Sequence, residues 1–173
     1  MINQKVRDIM NEQIKWELYS SYLYLAMAAY FDSQGLDGMG QWMRSQAQEE
    51  VLHAMKFFNH IKDRDGRVEL LAIDQPPSEW SSPAEVFQVA YEHEQKVTGM
   101  VNNIMKIAQE ENDYGAMPML HWFVDEQIEE EASTSKVAQE LKRIGDSGDG
   151  IIMLDRELGT RTFTLPPVGG EGA

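Results

Sequence analysis

MGQWMRSQAQEEVLHAMKFFNHI, residues 39–61, is a stretch in which ligand-type side chains interrupt an apolar helical stripe. Glu50 and His53 lie three residues apart, so a helix places them on one face, one above the other. A Glu and a His in this arrangement are the usual way in which a bundle presents two ligands to one metal ion. The same spacing occurs by chance on many solvated helices, so the pair must be judged with the rest of the chain. The full stripe reads Met39, Met43, Gln46, Glu50, His53, Phe57 and Ile61.

Length and composition limit the classes of protein to consider. A chain of 173 residues, 42% hydrophobic and 25% charged, fits one globular domain with a sizeable core. The absence of cysteine excludes disulfides, thiolate metal sites, iron–sulfur clusters and cysteine nucleophiles. A net charge of -14 disfavours nucleic acid and anionic membranes as partners and favours cations, although solubility alone also explains it. No stretch is long and apolar enough to span a bilayer, and no apolar run follows a basic start, so we expect a cytoplasmic protein.

The first two helices should form a hairpin. From about Lys5 to Gln34 the chain has no Pro or Gly and follows one helical period, with Gly35 as the expected C-cap. Asp37 is expected to cap the second helix, and Asp65-Gly66 to end it.

The third and fourth helices should form another pair. Ser82-Pro83-Ala84-Glu85 is a capping box with Pro at the first helical position. Asn112-Asp113 joins the third helix to the fourth, in which Pro118 falls in the first turns and predicts a bend. Gly145 ends the fourth helix, and a short fifth helix is expected from about residue 150 to residue 158.

The connection between the second and third helices is long. Residues from about Arg67 to Ser81 have no helical period and contain Pro76-Pro77. A helix of about 28 residues is about 42 Å long, and some 15 extended residues cover about that distance. The two helices should therefore be parallel, joined by a crossover along the bundle. The expected fold class is all-α: a four-helix bundle with a long crossover and a short fifth helix.

Polar residues recur at one depth in all four long helices. Unpaired buried carboxylates cost several kcal/mol each, and like charges repel. No Arg or Lys lies on these stripes at that level, so two divalent cations are the simplest way to stabilise such a core. Each Glu taken alone is better explained as part of a solvated face; the four together are not. The residues at this level are Glu17, Glu50, His53, Glu94, Gln127 and Glu130.

The ligand types narrow the choice of metal. Carboxylates with one imidazole and no thiolate suit iron or manganese, with zinc as a competitor. Tyr24 lies two helical turns after Glu17 on the same face. It could hydrogen-bond a ligand or supply an electron, and it could equally be an ordinary core tyrosine.

The chain resembles the bacterial non-haem ferritins from the first helix through Arg161. The resemblance implies a ferritin-like di-iron domain over residues 1–161 and a loosely ordered tail over residues 162–173. It implies a ferroxidase that oxidises Fe(II) with O2 or H2O2 and stores ferric mineral inside a hollow homo-oligomeric shell of about 24 copies. The residues that carry it are Glu17 with Tyr24, Glu49-Glu50-Val51-Leu52-His53, Trp80-Ser81-Ser82-Pro83, His93-Glu94 and Trp122-Phe123-Val124-Asp125-Glu126-Gln127-Ile128-Glu129-Glu130-Glu131.

The same resemblance implies a role for each site residue. One iron would be held by Glu17, Glu50 and His53, with Glu50 bridging to the second. The second iron would be held by Glu94 and Glu130, with Gln127 nearby. A third, more exposed iron site leading inward would be formed by Glu49, Glu126, Glu129 and Glu130. From helical geometry alone, the first three of these four lie about 100° from the inward stripe and could simply be solvated charges. The implied catalytic residues are Tyr24, Glu50 and Glu130.

Comparison with related families argues against haem. A bacterioferritin-like chain would carry a second Glu-x-x-His where this one has Gln127-x-x-Glu130, and a haem-ligating Met where Leu52 stands. A rubrerythrin-like chain would need cysteine. The histidines outside the ligand stripes are read as structural or solvated: His60, His93 and His121.

Two other classes of function remain open. A non-enzymatic bundle whose acidic residues merely chelate would consume no dioxygen with ferrous iron. A di-iron oxidase of another kind would need an apolar channel for an organic substrate and would form no large assembly.

Overall fold

The computed structural model describes residues 1–162, which contain five helices and no strand. The predicted all-α class is confirmed. The predicted loosely ordered tail lies, except for Thr162, outside the described residues. The helices are α1 (Gln4–Ser33), α2 (Asp37–Asp63), α3 (Pro83–Glu110), α4 (Met117–Ile144) and α5 (Gly148–Leu158).

A three-residue turn joins α1 to α2. Gln34 is the C-cap of α1, and Gly35 follows with φ +72°, a left-handed conformation that glycine adopts without strain. The Leu36 amide closes the turn by donating to the carbonyl of Phe31 at 3.0 Å.

The N-terminus of α2 differs from the prediction. Asp37 is the first helical residue rather than the cap, and Leu36 at the N-cap makes no side-chain hydrogen bond. Instead, the Met39 amide donates to Asp155 Oδ1 at 2.8 Å, so α5 caps α2 from 116 residues away. The contact is close: a Cβ on Gly38 would lie 1.8 Å from the Asp155 carbonyl oxygen. Only glycine at this position lets the two backbones approach.

The crossover, residues 64–82, has no regular secondary structure. The side chain of Asn11 in α1 holds the start of the crossover. Asn11 Nδ2 donates to the Arg67 carbonyl at 3.3 Å, and Asn11 Oδ1 accepts from the Glu69 backbone amide at 3.0 Å. The crossover lets α2 and α3 run parallel. Trp42 and Phe87, each near the start of its helix, pack with ring centroids 5.1 Å apart.

Local residues, a serine cap and a proline, mark the N-termini of α3 and α4. Ser82 caps α3, with its hydroxyl accepting from the Glu85 amide at 3.2 Å. Pro118 is the second residue of α4, a position where the helix needs no amide donor, so no bend is required. The join predicted at Asn112-Asp113 is longer than expected, because α4 begins only at Met117.

Two apolar clusters fill the bundle, one towards each end. One contains Tyr24, Phe31, Met43, Phe87 and Leu141, and the other contains Ile14, Phe57, Ile104 and Phe123. Between them lies the polar mid-helix layer. In residues 1–162 no helix is long and apolar enough to cross a membrane.

Candidate metal centre

The bundle buries a layer of acidic side chains midway between its two apolar clusters. The helical period turns each of these residues inward, and each of the four long helices contributes at least one. Their relative exposures lie between 1% and 5%, so bulk water hydrates them very little. The layer contains Glu17, Glu50, His53, Glu94, Gln127 and Glu130.

Glu17, Glu50 and His53 form a compact group. One ligand atom from each lies within 4.8 Å of the others, and His53 Nδ1 is 3.3 Å from Glu50 Oε2. Gln13 Nε2 donates to Glu17 Oε1 at 2.9 Å, whereas Glu17 Oε2 is buried without a hydrogen-bond partner among the described residues. A buried carboxylate oxygen without a donor is poorly stabilised by protein alone. This group therefore suits a divalent cation.

A second group combines His53 with two residues that the resemblance assigns to a third iron site. Ligand atoms of His53, Glu126 and Glu130 lie within 4.8 Å of one another. Glu94, which the resemblance assigns with Glu130 to the second iron, accepts hydrogen bonds from the Tyr24 hydroxyl and from Gln127 Nε2, the latter at 3.3 Å. Neutral donors thus orient Glu94, whose charge still lies close enough to Glu130 to raise the pKa of that carboxyl.

Electrostatics in the layer favour protons or cations. Burial raises the pKa of Glu17 to about 8, with the neighbouring Glu50 adding to the shift. Burial and the charge of Glu94 raise the pKa of Glu130 to about 8, and burial raises the pKa of Glu94 itself to about 7. The pKa of Glu50 is raised well above its ordinary value by burial and by Glu94 and Glu130. Bound cations would replace these protons and stabilise the ionised form.

Comparisons with known proteins identify the family. Residues 7–144 match the model of the family described as "Ferritin-like domain". The chain belongs to the ferritin family. It is 40% identical over 161 residues to a bacterial non-heme ferritin of Bacteroides fragilis, covering 93% of this chain and 100% of the relative. It is 37% identical over 163 residues to one of Staphylococcus aureus, covering 94% and 98% respectively.

Solved structures agree with the sequence comparison. An open-pore ferritin of the archaeon Archaeoglobus fulgidus superposes with a TM-score of 0.92 at 46% identity, covering 94% of this chain and all of that one. A closed form of the same ferritin, engineered by site-directed mutagenesis, gives a TM-score of 0.93 at 46% identity and covers 95% of this chain and all of that one. The resemblance inferred from the sequence is therefore confirmed.

Aromatic rings hold the single imidazole of this ferritin's layer. The His53 ring packs edge-on against Trp122 and Phe123, with centroids 5.6 and 5.7 Å away. Phe123 in turn stacks on Phe57 at 4.2 Å. Both ring nitrogens of His53 are thereby directed at carboxylates, Nδ1 at Glu50 and Nε2 at Glu126, the latter 3.9 Å away.

The outer acidic residues are less enclosed than the inner ones. The side chains of Glu49 and Glu126 are 27% and 29% exposed, and Glu129 is exposed. Arg161 Nη2 donates to Glu49 Oε2 at 2.7 Å. Burial raises the pKa of Glu49, although the charge of Arg161 opposes this shift. The structure thus brings Glu126 to the inner layer, pairs Glu49 with an arginine and leaves Glu129 in solvent.

Sequence reasoning missed several residues that support the layer. Gln46 was placed on the inward stripe without a role, yet its Nε2 donates to Glu130 Oε2 at 2.6 Å. Gln13 could have been found, because it precedes Glu17 by one helical turn. Arg161 gave no local signal, since its partner is 112 residues away.

The off-stripe histidines need no metal to explain them. His93 is buried, with Nε2 at 2.7 Å from the Ser20 hydroxyl, and burial lowers its pKa to about 4. His60 is half-buried, with Nε2 3.3 Å from Arg64 Nη1. His121 is exposed.

Proposed function

We propose that this chain is the subunit of an iron-storage ferritin and that its buried acidic layer is a ferroxidase centre. The observation that carries the proposal is the convergence of four buried carboxylates and one imidazole from four helices. The family assignment and the printed names of the non-heme ferritin relatives support the same reading. In this proposal iron is the substrate and the cargo of the protein.

Charge balance supports a pair of ferrous ions. In the described part of the chain, no Arg or Lys forms an ion pair with any of the four inner carboxylates. Four ionised carboxylates match two divalent cations, and oxygen-rich ligands suit ferrous iron. Glu17, Glu50 and His53 would hold the first ion. Glu130 and Glu94 would contribute to the second, with Glu50 between the two.

Supporting residues would orient the ligands. Gln13 holds one oxygen of Glu17, and Gln46 holds one oxygen of Glu130, so each carboxylate keeps a second oxygen for an ion. The Tyr24 hydroxyl and Gln127 hold Glu94. Each oxygen of Glu94 accepts one of these hydrogen bonds and keeps a second lone pair for an ion.

The reaction that we propose uses both ferrous ions together. With dioxygen, two Fe(II) give up two electrons, and O2 takes these and two protons to become H2O2. With peroxide, two electrons and two protons yield two water molecules. Protons released by the inner carboxyls as Fe(II) displaces them are a local source for either reaction, because burial raises the pKa of these groups.

The finer family properties belong to the same proposal. Glu49, Glu126, Glu129 and Glu130 would hold a third iron on the way to the mineral. The chains would assemble into a closed shell of about 24 copies in the cytoplasm. The residue ranges of the domain and tail remain predictions.

Oxygen consumption on addition of ferrous iron tests the proposal. The assembled protein should oxidise two Fe(II) per chain in a fast first phase and elute as a very large particle. Glu50→Gln should abolish the fast phase and leave the particle size unchanged. Glu92→Gln, at an exposed position on α3, is the matched control and should behave as wild type. Oxidation that is equally fast in Glu50→Gln would contradict the assignment of the bridge.

A further inference from the structure

Arg161, three residues beyond α5, contacts α2 in two ways. Its Nη2 donates to Glu49 Oε2 at 2.7 Å, and its Cζ lies 4.6 Å from the centroid of the Trp42 ring. The side chains of Arg161 and Glu49 are only 25% and 27% exposed. A planar guanidinium that stacks on an aromatic ring and donates to a carboxylate is held in a defined orientation.

This ion pair is unusual for its location. Among the described residues, no other Arg or Lys forms an ion pair with an acidic residue that we propose as an iron ligand. Glu49 adjoins Glu50 in sequence and interacts electrostatically with Glu126 and His53. Arg161 therefore supplies positive charge at the outer side of the acidic layer, where the proposed function puts a third iron.

We propose that Arg161 is a positioning residue that competes with the third cation for Glu49. Its guanidinium holds the Glu49 carboxylate when no ion is bound there, and both its hydrogen bond to Oε2 and its positive charge oppose binding of an ion by that carboxylate. The inference rests on the proposed function and deepens it, because it adds a protein counter-ion to the outer iron site.

This competition should lower the affinity of the protein for the third ion. Breaking a partly buried, charge-assisted hydrogen bond is a cost that each incoming ion must meet. Removing the guanidinium should therefore tighten binding of the third ion by about tenfold, a value between those of exposed and buried pairs. A site weakened in this way releases its ion more readily than one in which all the carboxylates are free.

Anaerobic Zn(II) titration of the assembled protein provides the first test, because zinc is redox-silent and accepts carboxylate and imidazole ligands. Wild type should bind two ions tightly and a third more weakly. Arg161→Gln should tighten the third ion by about tenfold and leave the first two unchanged. Arg161→Lys keeps the charge but loses the planar fork, so its gain should be smaller. Arg156→Gln, at an exposed position on α5, is the matched control.

The same substitution made in Glu49→Gln protein distinguishes competition for Glu49 from a purely structural role of Arg161. In Glu49→Gln protein, adding Arg161→Gln should no longer change the affinity for the third ion. After a first round of Fe(II) oxidation, Arg161→Gln should also regain its fast phase more slowly than wild type, because the third ion leaves more slowly.

The outcomes are distinguishable. A third-ion affinity that is unchanged or weaker in Arg161→Gln, while the first two ions bind as in wild type, would overturn the role of Arg161 alone. Wild-type protein that binds no pair of ions would overturn the proposed function. If Arg161→Gln does not assemble, the comparison of Arg161→Lys with wild type decides by the same criterion.

Discussion

Replacing Glu50 with Gln should stabilise the metal-free protein while it destroys the oxidation reaction. Glu50 is fully buried, and burial together with Glu94 and Glu130 raises its pKa well above the ordinary value of 4.5. The neighbouring Glu17 and Glu130 carboxyls, whose pKa values burial raises to about 8, set the scale: holding one such group protonated at pH 7 costs the fold roughly 3 kcal/mol, at about 1.4 kcal/mol for each pH unit above 4.5. The neighbouring carboxyls share this cost, so the expected gain in Glu50→Gln is about 1 to 3 kcal/mol.

The sign of the pH dependence follows from the raised pKa. Below about pH 4.5 the carboxyl is protonated in both the folded and the unfolded chain, so the substitution gains nothing there. As the pH rises towards neutrality, the unfolded chain ionises and the folded one does not, so wild type loses stability relative to Glu50→Gln. The difference should be largest at neutral pH and shrink to under about 1 kcal/mol by pH 5.

Calorimetry on chelator-treated protein is the assay. At pH 7 the melting temperature of Glu50→Gln should exceed that of wild type by roughly 2–12 °C, and Zn(II) should reverse the order because it stabilises wild type more. Glu92→Gln should show neither effect, because its side chain is exposed. A metal-free Glu50→Gln protein that melts below wild type at pH 7, or by the same margin at every pH, would refute the electrostatic reasoning.

Three further predictions address other parts of the molecule. Tyr24→Phe removes the hydroxyl that donates to Glu94, so it should cost about 1 kcal/mol of stability in the metal-free protein and slow oxidation severalfold. Thermal melting would measure the first effect and stopped-flow absorbance the second. Unchanged oxidation would assign Tyr24 a purely structural role. Gly38→Ala places a Cβ against the Asp155 carbonyl and should release α5 from α2. Amide exchange across residues 148–158 should then be faster. The control is Gly99→Ala, at an exposed position with open space around it, which should leave this exchange unchanged. The purified protein should show no haem absorbance, because Leu52 replaces the ligating Met of haem-binding relatives; a Soret band would contradict this.

The helical periodicity was sufficient to predict the fold, because each long helix repeats its apolar residues every three or four positions along one stripe. The same stripes predicted the buried acidic layer, since Glu17, Glu50, Glu94 and Glu130 each interrupt a stripe at mid-helix. The length of the crossover indicated parallel α2 and α3. These features are local in sequence or follow from simple lengths.

Details that depend on distant contacts were not accessible in this way. Aspartate is a residue type that often caps helices, yet Asp37 does not cap α2. Asp155 of α5 accepts a hydrogen bond from the Met39 amide instead, a contact that spans 116 residues. The pairing of Glu49 with Arg161 likewise spans 112 residues. The position of Glu94 depends on which donors reach it, and a helical stripe fixes the face of a residue but not its hydrogen-bond partners.

Anomalous diffraction from a crystal soaked anaerobically in ferrous salt tests the central claim most directly. The account predicts two strong iron peaks inside each bundle, bonded to carboxylate oxygens of Glu17, Glu50 and Glu130 and to a ring nitrogen of His53, with a weaker third peak near Glu126. Iron peaks confined to the outer surface, with the inner carboxyls still hydrogen-bonded to Gln13, Gln46 and Tyr24, would contradict it.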